Sequence, residues 1–319
     1  MNVEEVSAHL HRLSAEIARV LVGQEELIEH TLIGLVARGH LLIEGVPGLG
    51  KTLLVRCLGR VLGLSFRRIQ FTPDLMPSDV TGSSVYSEAL GQFSFVPGPV
   101  FAQLVLADEV NRAPAKTQSS LLEAMQDRSV TVDGVTRPLP APFLVLATQN
   151  PVESQGTYPL PEAQLDRFLL KLHVGHPSRE AENQMLHNYL AGFDPSVLDG
   201  LSVLSSETQI LELQRALGSV RVATEIVDYI TDIVRRTRTH PALQLGASPR
   251  ASIGLLCVAR AHALWEGRDY VTPDDVKTYA HAVLRHRLLL QPDAELEGTT
   301  ADHCVDSILR DTVVPKTSV

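Results

Sequence analysis

Eight consecutive residues near the start of the chain have the types and spacing of a phosphate-binding loop. They fit the pattern GxxxxGK[ST] and are Gly45, Val46, Pro47, Gly48, Leu49, Gly50, Lys51 and Thr52. Glycines let the backbone curl so that its N–H groups point at phosphate oxygens, and a following helix adds its positive N-terminus. Lys51 would place a charge on the β- and γ-phosphates, and the Thr52 hydroxyl would be a ligand of Mg²⁺. The loop therefore predicts a nucleoside triphosphate site.

Two adjacent carboxylates follow an apolar run further along the chain. Residues 104–107 lead directly into Asp108 and Glu109. Because the carboxyl ends of parallel strands face the ligand crevice of an α/β sheet, both acids are expected beside the phosphates. We expect Asp108 to hold Mg²⁺ through water and Glu109 to orient and polarise the attacking water. Many strands end in acidic residues, so this pattern alone does not indicate a nucleotide site. It does so here because a phosphate-binding loop precedes it in the chain.

A side-chain amide ends a third apolar run. Residues 143–148 are followed by Gln149, Asn150 and Pro151. The Asn150 amide is able to hydrogen-bond a γ-phosphate or the attacking water. An Asn-Pro pair is equally typical of a simple turn, and the segment alone leaves both interpretations open.

The elements that must position these side chains alternate between strands and helices. Short apolar runs predict strands buried on both faces of a parallel sheet, at 40–44, 104–108, 143–148 and 169–174. Apolar residues at helical spacing predict helices over 6–20, over 24–38 and after Lys51. This pattern predicts an α/β fold, namely the αβα sandwich of a P-loop nucleoside triphosphatase.

After residue 174 the sequence changes character. No further strand is predicted, and helical patterns cover 179–190, 206–217, 224–236, 249–265 and a segment capped by Thr272. We therefore divide the chain into a nucleotide-binding core at 1–175 and an all-α lid domain at 176–319.

Two hairpins are predicted within the core. Residues 83–86 and 92–96 are the strands of an insertion bounded by glycines and prolines, and the pair Asp133-Gly134 is a strong turn signal between β-branched residues. Between positions 83 and 96 the only charged residue is Glu88. A finger that grips DNA would present cations to phosphate, so this hairpin argues against nucleic acid.

Composition narrows the class of protein further. The chain has 319 residues, of which 44% are hydrophobic, and a formal net charge of −9, which repels a polyphosphate backbone. Its three cysteines are far apart, and its histidines lack partners at ligand spacing, so neither a disulfide nor a metal centre built on these residues is expected. No apolar run reaches the length of a membrane helix, and no signal peptide is recognisable. We predict a cytoplasmic protein.

Together, these motifs in this order resemble an AAA+ ATPase and, more closely, the MoxR family. The resemblance is carried by the runs 95–101, 106–109, 111–114 and 147–151 and by the helix that contains Asp166 and Arg167, and it extends over nearly the whole chain. It implies an ATPase that uses ATP and Mg²⁺ and assembles as a homo-oligomer, as relatives that form hexameric rings do. The two hairpins resemble the helix-2 insert and the pre-sensor-1 hairpin of the branch shared with magnesium chelatase.

The resemblance also implies roles for particular residues. Asn150 would be sensor 1, and Arg167 would be an arginine finger that reaches the γ-phosphate bound by the adjacent subunit. Arg250 would be sensor 2 on the lid, and Val22 and Gly23 would lie near the adenine. Two alternatives stay open from the residues alone: Arg167 as a solvated helix end and Arg250 as a surface ion-pair partner.

The implied function is a chaperone-like motor that remodels or matures a protein client, often in cofactor or metal insertion and with a separate VWA-domain protein. Three alternatives stay open at this point: the ATPase subunit of a metal chelatase, a DNA-dependent AAA+ motor, and a non-enzymatic scaffold gated by nucleotide. The acidic net charge and the nearly uncharged hairpin favour a protein client over nucleic acid.

Overall fold

The computed structural model describes residues 1–46, 48–88, 91–150, 157–194 and 198–315. The helices are α1 (Val3–Ala18), α2 (Glu25–Val36), α3 (Lys51–Leu62), α4 (Pro77–Thr81), α5 (Ala115–Asp127), α6 (Glu162–Leu165), α7 (Arg179–Leu190), α8 (Glu207–Ala216), α9 (Thr224–Thr237), α10 (Pro249–Trp265), α11 (Pro273–Leu284), α12 (Pro292–Leu296) and α13 (Ala301–Asp311). The strands are β1 (Leu41–Glu44), β2 (Phe66–Gln70), β3 (Gly82–Ser87), β4 (Gln92–Pro97), β5 (Leu104–Asp108), β6 (Ser129–Val132), β7 (Val135–Pro138), β8 (Leu144–Gln149), β9 (Leu170–His173), β10 (Leu243–Leu245) and β11 (Leu289–Leu290).

A five-stranded parallel sheet organises the core, with strand order β2-β5-β8-β1-β9. The four predicted strands are confirmed, and β2 is an addition that sequence analysis missed. Only Ile69 of β2 is fully buried, whereas Arg67 and Arg68 are exposed, because β2 lies at the edge of the sheet. An edge strand does not carry the continuous apolar run that identifies a central one.

Alternate residues of the strands face opposite helical layers. Leu104 and Leu106 of β5 join a core cluster with α1, α2 and α3, whereas Val105 and Ala107 join another with α4 and α5. The αβα sandwich is confirmed. Every central strand ends on the same side of the sheet, which brings its last residues together there.

The first helix follows its predicted pattern except at its end. Asn2 and Glu5 form a capping box, and the predicted face is buried at Val6 and Ile17. We predicted that Val20 continues this face, but α1 ends at Ala18 and Val20 lies in the turn that follows.

Both predicted hairpins are present. Strands β3 and β4 pair in antiparallel register, and β6 and β7 are joined by Asp133 and Gly134, both with positive φ, as a tight hairpin turn requires. The guanidinium of Arg137 on β7 lies 3.9 Å above the ring of Phe95 on β4, so the two hairpins are in contact.

The region after the core is a helical lid, as predicted, with one addition. Ser248 caps α10, and Thr272 forms a capping box with Asp275 at the start of α11. The expectation that no strand follows residue 174 is wrong in detail, since β10 and β11 pair as a small antiparallel ribbon. These strands have three and two residues, too short for a period-2 pattern to reveal. Among the helices that the structure describes, none is long and apolar enough to cross a membrane.

Candidate functional site

The phosphate-binding loop lies between β1 and α3, where the sequence predicted it. Gly50 at the N-cap of α3 has φ +78°, and Gly48 has φ +88° with open space where a side chain would begin. Both conformations favour glycine. Pro47 lies outside the described residues. The loop therefore leaves room above the N-terminus of α3, where backbone N–H groups are available to an anion.

Lys51 is held across the base of this loop. Its Nζ donates a hydrogen bond to the Gly45 carbonyl at 2.5 Å. Burial lowers the pKa of Lys51, and the nearby charges of Asp108 and Glu109 oppose that shift. The ammonium group is thus placed between the loop and the two carboxylates.

A cleft of about 490 Å³ brings together half of the predicted site residues that the structure describes. Its lining consists of Gly48, Gly50, Lys51, Thr52, Leu53, Arg56, Arg68, Gln70, Asp108, Glu109 and Asn150. Strands β2, β5 and β8 end here, beside the loop that joins β1 to α3, because the carboxyl ends of parallel strands lie at the same edge of a sheet. We refer to this space as the phosphate cleft.

Thr148 connects the two acids of the phosphate cleft. Its Oγ1 donates to Asp108 Oδ1 at 2.6 Å and accepts the Glu109 N–H at 2.8 Å. The second oxygen of Asp108 accepts Nη2 of Arg68 at 2.6 Å. Thr148 therefore fixes the end of β5 relative to β8, and Arg68 balances the charge of Asp108.

Glu109 has an unusual backbone and two side-chain partners. Its φ is +56°, a left-handed conformation that is costly for a residue with a side chain. Its Oε2 accepts from Gln70 Nε2 at 2.8 Å and from Arg112 Nη1 at 3.0 Å. The strained turn directs this carboxylate into the phosphate cleft, and the two donors fix its orientation.

An apolar slot of about 390 Å³ adjoins the phosphate cleft and shares Gly48, Gly50 and Leu53 with it. Predicted residue Val22 lines the slot, as do α7 residues that include Leu186 and Tyr189. A flat apolar base and a charged polyphosphate would fit this adjoining pair of spaces. We refer to the apolar space as the base slot.

Predicted residue Gly23 does not line the base slot. It lines a neighbouring polar cavity of about 800 Å³ between α2, β9 and α11. Its φ is +73°, and a Cβ placed there would approach the Cβ of Ala181 to 2.4 Å. Gly23 therefore allows α7 to pack closely against the turn that carries Val22.

Arg167 and Arg250 are together, but neither lines the phosphate cleft. Both line a separate cleft of about 290 Å³ that is formed by the C-terminal ends of α2 and α5, the turn before β9 and the start of α10. Within the described part of the chain, neither guanidinium makes a hydrogen bond or an ion pair. We refer to this space as the arginine cleft.

The donor set of the phosphate cleft suits a magnesium ion. Asp108 and Thr52 offer oxygen atoms beside the loop, and Mg²⁺ is held in proteins by one or two carboxylates together with phosphates and waters. Within the residues described, no cluster of three or more His, Cys, Asp or Glu forms a metal site independent of a nucleotide.

Fold and site together define a P-loop ATPase of the AAA+ class. The profile of the "ATPase family associated with various cellular activities (AAA)" matches residues 40–170, and that of the AAA lid domain matches residues 235–308. YeaC of Bacillus subtilis is 49% identical over 98% of this chain and 97% of its own length. Chaperone MoxR1 of Mycobacterium tuberculosis is 45% identical over 98% of this chain and 85% of its own length.

A solved structure gives the same result. The crystal structure of a protein from Cytophaga hutchinsonii, assigned as an ATPase, superposes with a TM-score of 0.91 at 42% identity and covers 98% of this chain and 97% of that chain. The chain belongs to the MoxR family of AAA+ ATPases.

Several residues of the site were missed by sequence analysis. Arg68 and Gln70 lie on the edge strand β2, which the sequence did not predict. Thr148 lies on β8, and the sequence predicted it only as part of a buried strand. Leu186 and Tyr189 lie on a helix that was predicted, but their exposure was not. A signal was available for Thr148, because a hydroxyl inside a buried apolar strand requires a hydrogen-bond partner.

Proposed function

We propose that this chain works as a ring of identical subunits, six by analogy with its family, in which ATP hydrolysis drives remodelling or maturation of a partner protein. The observation that carries the ring is the separation of the phosphate cleft from the arginine cleft. Among the described residues of one chain, the guanidinium groups of Arg167 and Arg250 have no ion-pair partner and lie outside the phosphate cleft. A ring brings the arginine cleft of one copy to the nucleotide of the next, as a head-to-tail interface does.

Within one subunit, the residues of the phosphate cleft have distinct roles. Gly45, Gly48, Gly50 and Lys51 bind the phosphates, while Val22 and the rest of the base slot bind the adenine. Thr52 and Asp108 hold Mg²⁺, which when bound neutralises charge on the β- and γ-phosphates.

Glu109 and Asn150 act on the attacking water. The carboxylate of Glu109, whose orientation Gln70 and Arg112 fix, accepts the proton of the water, and the Asn150 amide positions that water or the γ-phosphate. Both residues line the phosphate cleft.

Arg167 and Arg250 complete the site of the adjacent copy. Charge that develops on the γ-phosphoryl oxygens is stabilised by a guanidinium supplied in trans. Because Arg250 shares the arginine cleft with Arg167, sensor 2 acts in trans together with the finger.

The client-binding surface that we propose is the apolar hairpin surface, which we define as Tyr86 and Phe93, neighbours on one face of the hairpin. Tyr86 and Phe93 are cross-strand partners with ring centroids 5.4 Å apart, and 72% of Phe93 is exposed. Exposed aromatic residues on a hairpin whose own sequence, 82–97, contains no Lys or Arg suit a protein segment and not a nucleic acid. The contact between Arg137 and Phe95 connects this surface to the second hairpin.

The family resemblance supplies the setting of this function. We propose a separate VWA-domain protein as the partner, insertion of a cofactor or metal as one outcome of remodelling, and the cytoplasm as the compartment.

Client capture tests the function directly. A Glu109→Gln variant in ATP should bind nucleotide without completing hydrolysis and so retain its client in an affinity purification. A specific protein that is enriched with this variant, and absent with Lys51→Ala, supports the motor. Equal recovery with both variants would contradict nucleotide-dependent client binding.

The hairpin provides the matched control. Glu109→Gln combined with Tyr86→Ser and Phe93→Ser should still bind ATP but lose the client. Retention of the same protein by this combined variant would show that the client binds elsewhere.

A further inference from the structure

The arginine cleft contains more positive charge than the two arginines in the proposed function account for. Five arginines line it, namely Arg38, Arg128, Arg167, Arg250 and Arg287, and Asp166 is the single carboxylate among the lining residues that the structure describes. Such an excess of charge at one concave surface attracts an anion.

Asp166 is already engaged. Its Oδ1 accepts Nε of Arg287 at 2.8 Å, and its Oδ2 accepts the hydroxyl of Ser248 at 2.8 Å. The charge of buried Arg287 is thereby paired within the fold. The other four arginines have no carboxylate partner among the cleft residues.

Arg128 is placed unusually for a surface arginine. It ends α5 with φ +50°, a left-handed conformation that a residue with a side chain rarely adopts. Its Nη2 donates to the backbone carbonyl of Arg38 at 2.8 Å, which holds the half-buried side chain at the cleft. Burial, together with the charge of Arg38, lowers the pKa of Arg128. Arg128 is thus a partly buried cation with no carboxylate partner among the described residues. Its placement indicates a function other than an internal ion pair.

We infer that Arg128 is a third arginine that acts in trans and contacts the polyphosphate of the nucleotide bound by the adjacent copy, alongside Arg167 and Arg250. This inference rests on the proposed ring. The ligand class follows from the charge: a nucleoside triphosphate presents several anionic oxygens, and planar guanidinium groups bind such oxygens in a forked geometry. Arg38 contributes charge to the cleft, but its Nε is already bonded to Gln214.

A structural role is the competing explanation. The hydrogen bond from Arg128 to the Arg38 carbonyl joins the ends of α5 and α2, and its loss could disturb the subunit that carries the substitution. The two explanations differ in which subunit is affected, because a phosphate contact serves the neighbour whereas a structural bond serves its own chain.

Oligomers that contain two different variants distinguish a structural role of Arg128 from a phosphate contact in trans. Arg128→Ala and Lys51→Ala are purified separately, and the rate of phosphate release from ATP is measured for each alone and for an equimolar mixture. Arg128→Ala alone should lose turnover by about tenfold or more. In the mixture a Lys51→Ala subunit donates its intact Arg128 to an Arg128→Ala neighbour, so turnover should exceed the sum of the separate rates by about threefold or more.

Two controls accompany the mixture. Arg167→Ala mixed with Lys51→Ala tests the proposed ring itself, and Arg236→Ala, an exposed arginine on α9 outside the arginine cleft, should keep the turnover of the unaltered protein. Recovery with Arg167→Ala but not with Arg128→Ala would overturn the inference and leave the ring in place. Recovery with neither would contradict the ring.

Arg128→Lys covers the case in which the alanine variant fails to fold or assemble. Lysine keeps the charge but loses the forked geometry, so this variant should assemble in ATP, turn over slowly and recover on mixing. If both variants fail to assemble, as followed by sedimentation, Arg128 is structural and the inference is wrong.

Discussion

At the residue scale, the acids of the phosphate cleft depend on neighbours that no motif identifies. Lys51, Asp108 and Glu109 could be predicted because glycine spacing and strand-end acids are local properties of the sequence. The hydrogen-bond partners of Thr148 and Arg68 could not, because these partners are set only when β8 and β2 pair with β5. The sequence therefore predicts which side chains face the nucleotide, but it does not predict the hydrogen bonds that orient those side chains.

Substitutions of Lys51 and Glu109 should have different effects on ATP binding and on turnover. Lys51→Ala removes the phosphate ligand, so ATP binding should weaken by about tenfold or more. Glu109→Gln keeps the shape but cannot accept a proton, so ATP binding should persist while turnover falls by about a hundredfold or more. Binding of a fluorescent ATP analogue and phosphate release, measured on the same samples, check this. Unchanged turnover in Glu109→Gln would show that Glu109 is not the residue that accepts the proton of the attacking water.

At the element scale, the pairing of β1 with its neighbours depends on a buried histidine. His40 accepts the Val145 N–H at Nδ1 and lies 3.0 Å from the Met125 carbonyl through Nε2. These contacts require the neutral ring with its proton on Nε2. Burial lowers the pKa of His40 from 6.5 to about 4. The strand was predicted from its apolar run, but this histidine could not be, because both its partners are distant in sequence.

This histidine makes the fold sensitive to acid. Between pH 6.5 and 4 the unfolded chain binds a proton at His40 that the folded chain does not, so the free energy of unfolding falls as the pH falls. From pH 6.5 to 5.0 this group lowers the free energy of unfolding by about 1.5 kcal/mol. Urea unfolding at both pH values, compared between the unaltered protein and His40→Gln, measures it. An equal loss of stability in both proteins would contradict the assignment.

At the scale of the whole molecule, the groups that we propose to act on ATP lie in two separate clefts of the chain. Strand and helix patterns predicted a core and a lid, and the order of motifs predicted an AAA+ fold, both from properties of the sequence that do not depend on an assembly. The positions of Arg167 and Arg250 relative to the phosphates could not be predicted, because they depend on how α10 and the turn before β9 meet. Their location in a cleft of their own is the basis of the proposed site shared between copies.

The most direct test of that shared site is ATP turnover per subunit as a function of protein concentration, followed together with sedimentation. If the arginine cleft of one copy completes the site of the next, turnover per subunit should rise over about a hundredfold range of concentration and level off as the oligomer forms. Arg167→Ala should assemble over the same range without that rise. Constant turnover per subunit in a sample that sediments as a monomer would contradict the account.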